Sequence, residues 1–138
     1  MKNHSLNVSS RYRLSKRAGK QLMKKQRATK GYCVGDLWNM DDYLLDLIPA
    51  MLKEFADKTQ GFPADNSLLG FDAEVKLPED EMLAAYQVKL NSIADQFLAI
   101  RDQLDCTTNA TAKDAKKIQT ALNKAFRELA SVFFTLWD

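Results

Sequence analysis

Residues 78–104 read PEDEMLAAYQVKLNSIADQFLAIRDQL, and the reading of this stretch decides the fold. Pro78, followed by Glu79, Asp80 and Glu81, predicts a helix start with proline at the first helical position. Its fixed φ suits that position, its missing N–H costs nothing there, and the acids meet the positive end of the helix dipole. Apolar side chains then recur at Met82, Tyr86, Leu90, Ile93, Phe97, Ile100 and Leu104. The steps of four and three draw one stripe along a long amphipathic helix, close to a heptad seam and unlike the alternation of a strand.

Working outward, Cys106 to Ala110 form a polar turn. Thr111, with Asp114 three residues on, predicts a capped second helix. Its stripe is Ile118, Leu122, Ala125 or Phe126, Leu129, Val132 or Phe133, and Leu136 or Trp137. The last turn, Val132 to Trp137, is apolar on all sides. Such an end is expected to be buried in the domain or against another chain, which makes Phe134 and Trp137 a candidate oligomer surface.

Toward the N-terminus, Asp41 or Asn39 caps a helix expected to run to about Asp57. It carries Leu44, Leu47, Ile48, Met51, Leu52 and Phe55 at helical spacing. Pro49 lies inside the pattern, which continues past it and so implies a kinked helix rather than a break. Residues 58–77 are punctuated by Gly61, Pro63, Asn66 and Gly70. They are too rich in Phe62, Leu68, Leu69, Phe71, Val75 and Leu77 for a free linker. A long loop packed over the core is expected, with a short strand pair or helical turn in it.

Residues 1–9 are polar and expected to be disordered. From Ser10, a potential N-cap, to Ala28 the composition favours a helix with a narrow stripe of Leu14, Ala18, Leu22 and Met23, weakened in the middle by Gly19. The fold class is therefore all-α: a three-helix core bundle over residues 36–138, preceded by a basic N-terminal helical arm over residues 1–35.

Five glycines and three prolines among 138 residues argue against a β-sandwich. No apolar stretch approaches the ~20 residues of a membrane span, and the charged N-terminus does not read as a secretory signal, so a cytoplasmic location is expected. The cysteines are Cys33 and Cys106. One pairing is open by count, and the cytoplasmic reading favours free thiols. The average charge of +2 hides a division. Residues 1–35 hold ten basic side chains and no acid. Residues 36–138 hold the other ten against all 18 acids, a net of −8. Such a split points to a tail that touches something negative, either nucleic acid, an acidic protein surface, or the body of the protein itself. The candidate nucleic-acid or partner-binding residues are Arg11, Tyr12, Arg13, Lys16, Arg17, Lys20, Lys24, Lys25, Arg27 and Lys30. Tyr12 and Tyr32, interleaved with cations, have the chemistry to stack on bases, or else dock the arm onto the body.

Catalytic chemistry is hard to find. The single histidine is His4, so a His-based triad has no base, and neither GxxxxGK[ST] nor GxGxxG occurs. A zinc site lacks its ligands. Asp41, Asp42 and Asp46 offer carboxylates to a cation, but acids at a helix start are ordinarily there for the dipole. The outline of a helix-turn-helix fails because its second helix would present Asp41 and Asp42 to phosphates. No cofactor and no catalytic residue is expected, and the remaining core aromatics are Phe55, Tyr86, Phe97, Phe126, Phe133 and Trp137, with Trp38 and Tyr43 as helix-start anchors.

Asp36-Leu37-Trp38-Asn39-Met40-Asp41-Asp42-Tyr43-Leu44, the run Ile48-Pro49-Ala50-Met51-Leu52-Lys53-Glu54-Phe55, Gly61-Phe62-Pro63 and the ending Ala125-Phe126-Arg127-Glu128-Leu129-Ala130, followed by Phe133 and Leu136-Trp137-Asp138, resemble a group of small bacteriophage and prophage helical proteins. The likeness covers about residues 36–63 and 118–138. Members often have a tryptophan early in the middle helix; this chain has Tyr86 in that region without a fixed alignment to it, and the basic arm is not part of the shared pattern. The resemblance implies a phage origin and a helical fold, and carries over no catalytic residue. By association, the expected function is a non-catalytic phage accessory protein. It would bind and modulate or inhibit a host protein or ribonucleoprotein complex, of the anti-defence type, such as a nucleic-acid-guided nuclease in the host cytoplasm. The alternatives are a phosphate-directed nucleic-acid-binding accessory protein and a virion-associated structural protein. A homo-dimer is compatible with each.

Overall fold

The computed structural model describes residues 16–107 and 109–137. The protein is all-α. Among the described residues the elements are helices α1 (Lys16–Lys30), α2 (Met40–Lys58), α3 (Glu79–Cys106) and α4 (Ala112–Val132), with 3-10 turns at Asn66–Leu69 and Phe133–Thr135 and no strand. The expectations placed on residues 1–15, including the Ser10 cap, Leu14, Arg11, Tyr12, Arg13 and His4, lie outside the described residues. The chain divides into two compact units, residues 1–44 and 45–138.

In the larger unit the core is built from Leu45, Leu52 and Ala56 of α2, the stripe of α3, and Ala125 and Val132 of α4. Leu90, Ile93, Ala94 and Phe97 are fully enclosed. Each large side chain buried in this way contributes about 1.5–3 kcal/mol. The stripe read from residues 78–104 is the buried face from Met82 to Ile100, whereas Leu104 is exposed, because the polar turn after it supplies no apolar neighbour. Helix α3 starts one residue later than proline-first capping predicts. Pro78 is the N-cap, in extended geometry, and Glu79, Asp80 and Glu81 form the first turn.

Helix α2 is continuous through the buried Pro49. Of the expected stripe Leu52 is buried and Ile48 and Phe55 pack against the core, but the centre of the buried face is shifted to Leu45, Pro49, Leu52 and Ala56, and Leu44 and Met51 are exposed. The consecutive leucines 44 and 45 left the phase undecided, and Pro49 and Ala56 are apolar positions the stripe omitted. The loop after α2 packs over the core through Phe62 and Leu69. It contains a helical turn: Asp65 caps Asn66–Leu69 by accepting from the Ser67 N–H, and Gly70 closes it at φ 84°. The Asn66 side chain donates to the Val75 carbonyl at 2.6 Å and pins the exit of the loop.

Thr111 and Asp114 form the expected capping box of α4. Burial of the chain end within the domain, one of the two covers expected, is corrected. After Val132 the backbone tightens from α to 3-10, and Phe134 and Trp137 stand at helical positions away from the core side of α4. Phe133 is 58 % exposed, Phe134 88 % and Trp137 76 %, and Phe126, assigned to the core with Phe133 and Trp137, is also exposed. Only Leu136 folds back onto the core. The end is nevertheless held, because the Tyr86 hydroxyl donates to the Thr135 carbonyl at 2.9 Å.

Candidate nucleic-acid interface

The smaller unit presents the cationic helix. Among its 15 residues α1 carries Lys16, Arg17, Lys20, Lys24, Lys25, Arg27 and Lys30, and no acid. Ala18, Gly19, Leu22 and Gln26 form its sheltered side. At 3.6 residues per turn, Arg17, Lys20, Gln21 and Lys24 fall on the opposite side, all exposed, and together line one shallow groove. Lys25 and Lys30 are exposed on the flanks. Gly19, read as a weak point in the helix, is buried on this side.

Arg27 differs from the other cations. Its Nε and Nη2 donate to the two oxygens of Asp36 at 3.1 and 2.5 Å, a fork-to-fork pairing. Asp36 is buried and also accepts the Cys33 N–H at 2.7 Å. These bonds hold its carboxyl well below the usual carboxylate range and keep Arg27 more firmly protonated. The Gln26 side chain accepts from the Val34 N–H at 2.9 Å, and the Tyr43 hydroxyl donates to the Gly31 carbonyl at 3.0 Å. Gly31, at φ 79°, ends the helix by returning its N–H to the Arg27 carbonyl. The turn over residues 31–39 is therefore a clamp on the C-terminal end of α1. Arg27 serves that clamp, whereas Arg17, Lys20, Lys24, Lys25 and Lys30 point their charge at solvent.

Tyr32 and Trp38 are exposed beside this helix, at 42 % and 66 %. Trp38 does not anchor the start of α2 by burial. Cys33 is buried and Cys106 exposed, and both are free thiols. Asp46 takes part in a 3.2 Å ion pair with Arg101. Among the described residues no group of three or more His, Cys, Asp or Glu side chains comes together in a way that could hold a metal ion, and no helix is long and apolar enough to cross a membrane.

Two features escaped the sequence reading. Asp36, the first acid of the chain, is the partner of the arm's own Arg27; a spacing of nine residues across a glycine-bounded turn was the available signal. The second is local: the net −8 of residues 36–138 conceals that five of their ten cations stand on α4. Compared with models of protein families, with curated proteins and with solved structures, the chain matches none.

Proposed function

We propose that this protein acts by binding rather than by catalysis, and that α1 engages the phosphate backbone of nucleic acid, alone or in the groove of a larger complex whose activity the protein then modulates. The observation that carries the reading is an acid-free helix whose outer side is formed by Arg17, Lys20 and Lys24, with the nearby carboxylate of Asp36 taken up by Arg27. A helix of this kind gains affinity by releasing counterions from phosphates, without reading sequence. The more specific form, a phage accessory protein that inhibits a host nucleic-acid-guided complex, follows by association alone from the phage origin that the resemblance described above implies.

The test is a salt titration of binding to a fluorescent DNA duplex. Replacing Arg17, Lys20 and Lys24 by Ser is expected to flatten the plot of log K against log salt by about 0.9 for each phosphate that is no longer neutralised. An unaltered slope removes α1 from the interface. Recovery of a host complex on the tagged protein after nuclease treatment supports the inhibitor form, and recovery of nucleic acid alone supports a phosphate-directed accessory protein. A second reading is favoured by the exposure of Phe133, Phe134 and Trp137, namely self-association through this end of the larger unit.

A further inference from the structure

We infer that the outer face of α4 is a second surface for the nucleic-acid backbone, formed by Lys113, Lys116, Lys117, Lys124 and Arg127. The inference rests on the nucleic-acid reading of α1 and extends it to the larger unit. At 100° per residue these five cations, with Thr120, occupy an arc of about 100° and a length of about 21 Å. All are exposed. The arc lies opposite the core side formed by Ile118, Ala121, Leu122, Ala125, Leu129 and Val132.

A merely solvated helix face ordinarily mixes the two signs. This one does not, because both acids of α4 are drawn to its edges and engaged there. Asp114 accepts from the Thr111 N–H and hydroxyl at 3.0 and 2.6 Å. Glu128 accepts from Gln96 Nε2 at 2.9 Å and lies 3.7 Å from Lys89. Lys124, at 4.0 Å from Glu128, is at the outer limit of an ion pair and 71 % exposed. The neighbouring α3 has a net excess of acid, six against Lys89 and Arg101, with Glu79, Asp80, Glu81 and Asp102 exposed, Asp95 paired with Lys53 at 2.8 Å and Asp105 3.8 Å from Arg101. Charge is thus sorted by helix within one compact unit. A polyanion is repelled from the surface of α3 and attracted to that of α4, so the sorting both supplies binding groups and orients the encounter. Five cations spread along about four turns, with Thr120 in the turn between Lys117 and Lys124, match the demands of a phosphate chain, which takes point charges and asks for no base-edge geometry.

The experiment uses the full chain and the same DNA duplex. Lys116, Lys117 and Lys124 are replaced by Ser in one variant and by Arg in a second. In a third, Lys53, Lys58 and Lys76 are replaced by Ser, which lowers the net charge equally but away from α4. Circular dichroism confirms helix content in each. The inference expects the salt slope of the α4 Ser variant to fall by about 2.7, roughly 0.9 per neutralised phosphate, while the Arg variant and the charge-matched control keep the wild-type slope. A slope that is unchanged in the α4 Ser variant but reduced in the α1 variant overturns the second surface and leaves the function of α1 intact. An equal fall in the charge-matched control also overturns it, by making total charge the cause. Absence of binding by the wild-type protein at low salt overturns the nucleic-acid reading and this inference together.

Discussion

Asp36 accepts three hydrogen bonds, two from Arg27 and one from the Cys33 backbone, and so joins the end of α1 to the turn that follows it. Its chemistry sets a pH dependence whose sign follows from the direction of the shift. The folded carboxyl ionises well below its unfolded value of about 3.9. The stabilisation is therefore complete above about pH 4 and is lost as pH falls below that value. Asp36→Asn keeps the size of the side chain and removes the charge. It is expected to weaken the clamp by about 1–2 kcal/mol, in the lower part of the range for charged hydrogen bonds, because Arg27 is more than half solvated. The readout is amide exchange at Cys33, which is expected to quicken by about ten-fold or somewhat more, and the difference from wild type is expected to vanish in acid. A Cys33 amide that exchanges at the wild-type rate in the variant would remove Asp36 from its assigned role.

At the scale of the element, α3 carries the core of the larger unit. Its pattern was readable because a single stripe at steps of three and four excludes every other period, and because a proline with three acids marks the start to within one residue. Helix α2 was readable in existence but not in rotation. Its apolar residues are too numerous to choose a face by themselves, and the side that packs was selected by what α3 offers Leu45, Leu52 and Ala56. The two aromatic partners Phe97 and Phe126 show the same dependence on context. Their rings meet edge to face at 5.1 Å, yet Phe97 is fully buried and Phe126 is 43 % exposed. Phe97→Ala is expected to cost about 3–5 kcal/mol through the cavity it leaves. Phe126→Ala is expected to cost about 1 kcal/mol, the worth of the ring pair itself. Thermal or denaturant unfolding of the two variants distinguishes them, and similar destabilisation in both would contradict the burial assigned to Phe97.

At the scale of the whole molecule, the exposed Phe133, Phe134 and Trp137 bear on oligomeric state. Phe133 and Phe134 pack edge to face at 5.5 Å, and the Tyr86–Thr135 hydrogen bond holds the turn that presents them. If this end mediates self-association, Trp137→Asp is expected to be monomeric by sedimentation at concentrations where the wild-type protein is not, with unchanged helix content. Equal masses for the two proteins would remove the reading. The sequence by itself determined the helical class, the start of α3, the capping box of α4, and the acid-free arm, since periodicity, capping chemistry and local charge are properties of neighbouring residues. Only the tertiary structure decided which side of α2 is buried, that Arg27 is engaged by Asp36 while Arg17, Lys20, Lys24, Lys25 and Lys30 face solvent, and that Phe133, Phe134 and Trp137 are not covered within the larger unit. Those outcomes depend on which surfaces meet. Residues far apart in the chain settle that, so it is not written in the pattern of apolar positions.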